Sequence, residues 1–255
     1  MKKLKEILLL VKKTLTEPSA AAADFMSQGK GFGGPMSVYF AYCAAYALFI
    51  YFKPADFPAD FSETAREFSG RSYLWLFSVQ AFFELAFTVI FCALFPVFAG
   101  FFKEGRLAYK FLSSLAVCCA YAAASFYFRA EPLFTLPFLA AACAAAYAGA
   151  RRKKNAAQAL FRFSLTVNAA VIFCLPAYIL AAILRSETFY TAAQALSGIW
   201  LTILTIKAAR TLFGGTAARS ALALIFSMTA AVSSFYILKN LGLVPPSIFR
   251  FMMFM

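Results

Sequence analysis

The chain has 255 residues, 63 % of them apolar, with a mean hydropathy of +0.75 and only 14 % charged side chains. Soluble domains carry about 45–50 % apolar and about 25 % charged residues, so a water-soluble fold would leave much of this oil in water, a conflict a bilayer removes. The net charge of +13 does not select a nucleic acid: the basic residues sit in short clusters between apolar runs, where they orient spans and attract anionic lipid headgroups.

The pattern predicts an all-α, polytopic bundle of about seven transmembrane helices behind an N-terminal amphipathic helix. In residues 1–15, Leu4, Ile7, Leu8, Val11 and Leu15 recur at helical spacing with lysines opposite. Their apolar core is too short for a signal peptide. Such a helix lies on a membrane surface or packs on the rest of the protein. Glu17-Pro18-Ser19 then punctuates, and the glycine-rich run 29–35 reads as a linker, so that residues 1–34 form a cytoplasmic amphipathic helix and linker.

Spans are expected at about 36–52, 73–102, 107–128, 132–150, 160–184, 193–206 and 219–238, within a bundle covering 35–240. In the loop 53–71, Phe57, Phe61, Ala65 and Phe68 have the spacing of a short interfacial helix. The second span is 30 residues long, about 45 Å of helix at about 1.5 Å per residue. That exceeds a hydrocarbon core of about 30 Å, so the span must tilt, protrude or bend at Pro96. Alanines crowd the fourth span and allow close helix approach. The fifth is expected to kink at Pro176. Lys207, Arg210, Gly214, Gly215 and Arg219 punctuate the last hairpin as a tight basic turn, and residues 241–255 read as an interfacial tail broken by Pro245-Pro246.

Alternating through seven spans from a cytoplasmic N-terminus puts seventeen lysines and arginines on the cytoplasmic side and seven on the other. That is the asymmetry of the positive-inside rule. It predicts a multi-pass protein of the cell (inner or plasma) membrane, with its C-terminus on the opposite side.

Catalytic chemistry is sparse. With no histidine, Ser-His-Asp and Cys-His catalysis and most catalytic zinc sites are removed. The six cysteines fall inside apolar runs and read as packing residues. No catalytic residue, metal site or cofactor is expected, and the chain is read as not an enzyme. Glu84 stands apart, eleven residues into the second span and about 16 Å along it. An ionisable group at that depth is a site hypothesis by default; a carboxyl packed between helices is the plainer alternative. Gln80 shares its face one turn earlier. Asn168, in the fifth span, is either its partner in a ligand-binding site or interhelical glue. Lys207 and Arg210, one turn apart, are either snorkelling anchors or a lipid-headgroup pocket.

The opening helix, Leu15-Thr16-Glu17-Pro18-Ser19, Phe25 and Pro35 before the first span resemble bacterial members of the Yip (Ypt/Rab-interacting protein) family. So do Trp200 in the penultimate span, the stretch Lys207–Arg210, Gly214-Gly215 and Ala218-Arg219-Ser220-Ala221. The resemblance covers both ends and about a third of the chain. It implies a five-span core with a cytoplasmic N-terminus, to which one extra hairpin adds two spans without changing parity. It also implies a non-enzymatic membrane-organising or trafficking-like adaptor. Eukaryotic relatives act in vesicle trafficking with small GTPases, but no GTPase-binding residue carries over. The expected partners are the lipid bilayer, anionic lipids and other membrane proteins or a second copy, with no nucleic acid. The alternative is a small transporter or transporter subunit with a polar site around Glu84.

Overall fold

A computed structural model describes residues 2–27, 31–54, 56–58 and 70–254. Among them there are helices and no strand: α1 (Lys2–Thr16), α2 (Pro18–Ser27), α3 (Gly33–Phe52), α4 (Tyr73–Phe102), α5 (Leu107–Tyr127), a 3-10 turn (Pro132–Thr135), α6 (Leu136–Arg152), α7 (Lys154–Val167), α8 (Ala169–Ile183), α9 (Glu187–Phe213), α10 (Ala217–Asn240) and α11 (Pro246–Phe254). Seven helical stretches are long and apolar enough to cross a membrane, α7 and α8 together making one of them. The chain is a multi-pass helical membrane protein.

Local chemistry sets the helix ends. Ser72, Ser186 and Thr216 cap three spans, each hydroxyl accepting from the backbone N–H three residues on, at 3.3, 3.3 and 3.4 Å, which satisfies a donor the helix leaves orphaned. Gly214 ends α9 at φ +77°, where a side chain would be strained.

The spans divide unequally. In α5 and α6 only 11 % and 6 % of the most apolar window is buried, against 28–56 % in the other five spans. The spans α5 and α6 are therefore the least enclosed, with α6 against α4 and α5 against α10, and Cys118 of α5 reaches the main core cluster. One part of the core joins α2, α4, α7, α9 and α10 through Phe91, Phe95, Leu160, Phe163, Ala208 and Ala223. Another is aromatic: Tyr42, Tyr46 and Phe49 climb one face of α3 and meet Tyr178 of α8 and Tyr190 of α9.

Several boundaries differ from those expected. Residues 18–27, read only as punctuation before the glycine-rich linker, form α2, and Gly33, Gly34 and Pro35 of the expected linker are the first turn of α3. Pro18 occupies the first turn of α2, which its missing N–H permits, and Pro18, Ala21, Ala22 and Phe25 are buried against α7 and α9. The helix α1 packs on α2, α3 and α7, the second of the two expected modes, and leaves Leu4, Leu8 and Leu9 exposed. The fifth span begins at Lys154 and breaks at Asn168; Pro176 lies inside the helix. The sixth span runs 27 residues, its polar first turns continuing the helix beyond the apolar run, and Lys207 and Arg210 belong to its last turns rather than to the turn that follows. Pro96 lies within an uninterrupted α4, and the tail forms α11. The helix expected through Phe61, Ala65 and Phe68 falls outside the described residues; Phe57 is buried against Tyr190.

Two arginines tie the basic end together. Arg219 donates to the carbonyls of Phe102, Lys103 and Gly105, the first at 2.8 Å and the last at 3.0 Å, so one guanidinium closes the C-terminus of α4. Arg162, 8 % exposed, donates to the Phe25 carbonyl in the last turn of α2 at 3.1 Å and stacks over the Phe32 ring at 4.7 Å. A cation is favoured at a helix C-terminus because it meets the unpaired carbonyls there. At the other end Arg185 pairs with Asp56 at 3.0 Å.

Candidate functional site

The polar residues singled out in the spans come together where α3, α4 and the α7–α8 junction meet. These elements pack on one another pairwise, and each brings a residue from near its midpoint: Tyr42, Glu84 and Asn168. The Asn168 amide Nδ2 donates to Glu84 Oε1 at 3.3 Å. Asn168 is the single residue between α7 and α8, its backbone still near helical values at φ −58° and ψ −18°, and its side-chain amide faces the neighbouring α4. Gln80, one turn before Glu84, is 1 % exposed. It and Tyr42 flank the Glu84 carboxyl without completing aligned hydrogen bonds to its second oxygen. Glu84 Oε2 and both amide atoms of Gln80 are buried with no hydrogen-bond partner. In hydrocarbon each such group costs several kcal/mol, so this is the least satisfied point of the core.

The surroundings sharpen the contrast. Tyr39, one turn before Cys43, donates to the Ala81 carbonyl at 2.6 Å. Elsewhere polar groups within the spans are matched across helices: Tyr178 with Ser197 at 2.5 Å, Tyr121 with Ser234 at 3.0 Å, and Asn240 donating to the Ser125 carbonyl at 3.0 Å. These are ordinary interhelical bonds. Gln80 and the second carboxyl oxygen of Glu84 break that rule. Among the described residues neither ion pair involves Glu84, and no three His, Cys, Asp or Glu side chains converge to hold a metal.

Lys207 and Arg210 are not part of this site. They are exposed on the last turns of α9, with no ion-pair partner among the described residues. Near the same basic end, a cavity of about 770 Å³ opens between α1, α2 and the start of α3, lined by Lys3, Lys13, Asp24, Gly33 and Ser37 among others; Lys13 and Asp24 pair across it at 2.5 Å. At the opposite end an apolar groove of about 490 Å³ runs between α3 and α8, past Leu48, Phe52, Leu175 and Ile179 to Lys53. Burial pulls the Lys53 ammonium down from 10.5 to about 8.

Gln80, Glu84 and Asn168 stand out in the sequence, whereas Tyr42 and Arg162 do not, and Arg219 reads there only as part of a basic turn. A tyrosine in an apolar run carries no period of its own. Arginines in basic clusters all look alike until the carbonyls they meet are known. No protein family, curated protein or solved structure matches this chain.

Proposed function

We propose that this chain is a non-enzymatic membrane-organising protein of the Yip type, with a five-span core, one added hairpin and an adaptor surface at its basic end. The observation that supports the reading is the unequal burial of the spans: α5 and α6 are far less enclosed than the other five, as an added hairpin would be. An appended hairpin preserves parity. With the basic end in the cytoplasm, the N-terminus is cytoplasmic and the C-terminus lies across the cell membrane. At that end α1 leaves Leu4, Leu8 and Leu9 exposed beside Lys3, Lys5 and Lys12, a surface for anionic lipid and for another membrane protein or a second copy. Lys207 and Arg210 add exposed charge for lipid headgroups. Photo-crosslinking from position 8 in native membranes tests the adaptor role. Adducts to a protein, lost on Leu4→Glu with Leu9→Glu, are expected; adducts to lipid alone would defeat it.

A small transporter or transporter subunit is the second reading, and one observation favours it: Glu84, Gln80 and Asn168 meet at mid-span beside an interrupted helix, where transporters place their sites. A Glu84→Gln variant with full biological activity would remove that reading.

A further inference from the structure

Three facts about the mid-span cluster belong together. Glu84 shares one carboxyl oxygen with Asn168 and leaves the other buried without a partner. Gln80, on the same face of α4 and 1 % exposed, stands with Tyr42 beside the Glu84 carboxyl, yet neither of its amide atoms reaches a partner in full hydrogen-bond geometry. Asn168, the one firm partner, stands at the break between α7 and α8. Unpaired groups of this kind in a native core call for an occupant or a role.

We propose that Glu84 is a proton-binding site and that Gln80 is the positioning residue that accommodates both of its protonation states. The chemistry follows from donor and acceptor counts. A carboxylate only accepts, whereas a carboxylic acid also donates one O–H, and a glutamine amide offers both functions on one rotatable group. When Glu84 is ionised, Gln80 turns its Nε2 toward Oε2. When Glu84 holds a proton, the O–H donates to Gln80 Oε1. The two residues lie one helical turn apart, so the exchange needs a side-chain flip and no backbone shift. The proton comes from hydronium and returns to water; no other bond is made or broken.

Asn168 connects the proton to the fold. Its Nδ2–H bond to Glu84 is charge-assisted, hence stronger, only while the carboxylate is ionised. Deprotonation therefore holds the break in the fifth span more tightly against α4, and protonation loosens it. The titratable groups facing Glu84 are Tyr39, Tyr42, Cys43 and Tyr46, all on α3. The α7–α8 junction contributes the uncharged Asn168, and α6, α9, α10 and α11 bring no charged partner to it among the described residues. The proton is thus the available means of neutralising this carboxyl. The site stands whether the chain organises a membrane or moves a solute.

The test reads the proton itself. The full chain is reconstituted in lipid nanodiscs and infrared difference spectra are recorded across a pH series. A carboxylic C=O band that grows as pH falls and exchanges slowly with deuterium is expected, absent in Glu84→Gln and displaced in frequency in Glu84→Asp, which keeps a carboxyl if the glutamine variant does not fold. Gln80→Leu should move the band's midpoint by about one pH unit, tenfold in proton affinity, with helicity unchanged. A band that survives Glu84→Gln, or no slowly exchanging band in the wild-type protein, would overturn the proton site. A midpoint unmoved by Gln80→Leu would overturn the part given to Gln80.

Discussion

At the scale of single residues, buried charge does most of the shaping, and it does so at helix ends. Arg162 satisfies the last turn of α2 and lies between Phe32 and the Phe25 carbonyl. Replacing it by alanine strips a charged donor from a buried carbonyl and leaves a hole beneath the ring. A loss of about 2–4 kcal/mol is expected, read as a lower denaturation midpoint in detergent, with Arg162→Lys recovering part of it. Lys53 supplies a pH signature. Its folded value of about 8 lies below the 10.5 of the free side chain, so folding disfavours the ammonium. The penalty is full below pH 8 and disappears as pH rises to about 10.5. Stability should therefore climb across that window in the wild-type protein, and the increment should vanish in Lys53→Met.

At the scale of elements, α5 and α6 are the least enclosed spans, and one glycine fixes how closely α6 approaches α4. A Cβ added at Gly149 would meet Val97 Cγ2 at 2.6 Å and the Val97 backbone nitrogen at 3.2 Å, too close for α6 to remain against α4. Gly149→Val should release the hairpin at a cost of about 1–3 kcal/mol. The expected readout is faster protease cleavage between 128 and 136 with the other five spans still folded. The break at Asn168 shows the limit of local rules. Pro176 removes a hydrogen bond wherever it stands, yet the span accommodates it. The regular hydrogen-bond ladder instead shifts eight residues earlier, at Asn168, whose side-chain amide meets Glu84 on the next helix. The helical state of 18–27 was hidden for a related reason: Ala21, Ala22 and Phe25 become an apolar face only once α7 and α9 stand beside them.

At the scale of the whole molecule, the contacts gather the basic loops at one end. Arg219, in the first turn of α10, reaches the turn after α4, Gly149 brings the end of α6 beside Val97 near the end of α4, and α2 packs on α7 and α9. Asp56 and Arg185 mark the far end. A membrane-impermeant thiol reagent should label Glu104→Cys and Thr216→Cys from the same side and Asp56→Cys from the other, in a background whose native cysteines are replaced. Labelling of positions 56 and 216 from one side would break the seven-span topology. The cytoplasmic assignment predicts that positions 104 and 216 are reached only in opened cells.

Apolar run length and the spacing of lysines and arginines were enough to give the number of spans, their order and the two unlike ends, because burial of backbone in oil demands long helices and charge stays out of it. Glu84 was legible for the same reason: a carboxyl in the middle of an apolar run is conspicuous in one dimension. Which helices enclose the core, which spans are least enclosed, where the fifth span breaks and which carbonyls Arg162 and Arg219 close were decided only by tertiary structure. Those outcomes depend on faces meeting across distant segments, and a chain that is apolar nearly all round carries too little periodicity to show which face turns inward.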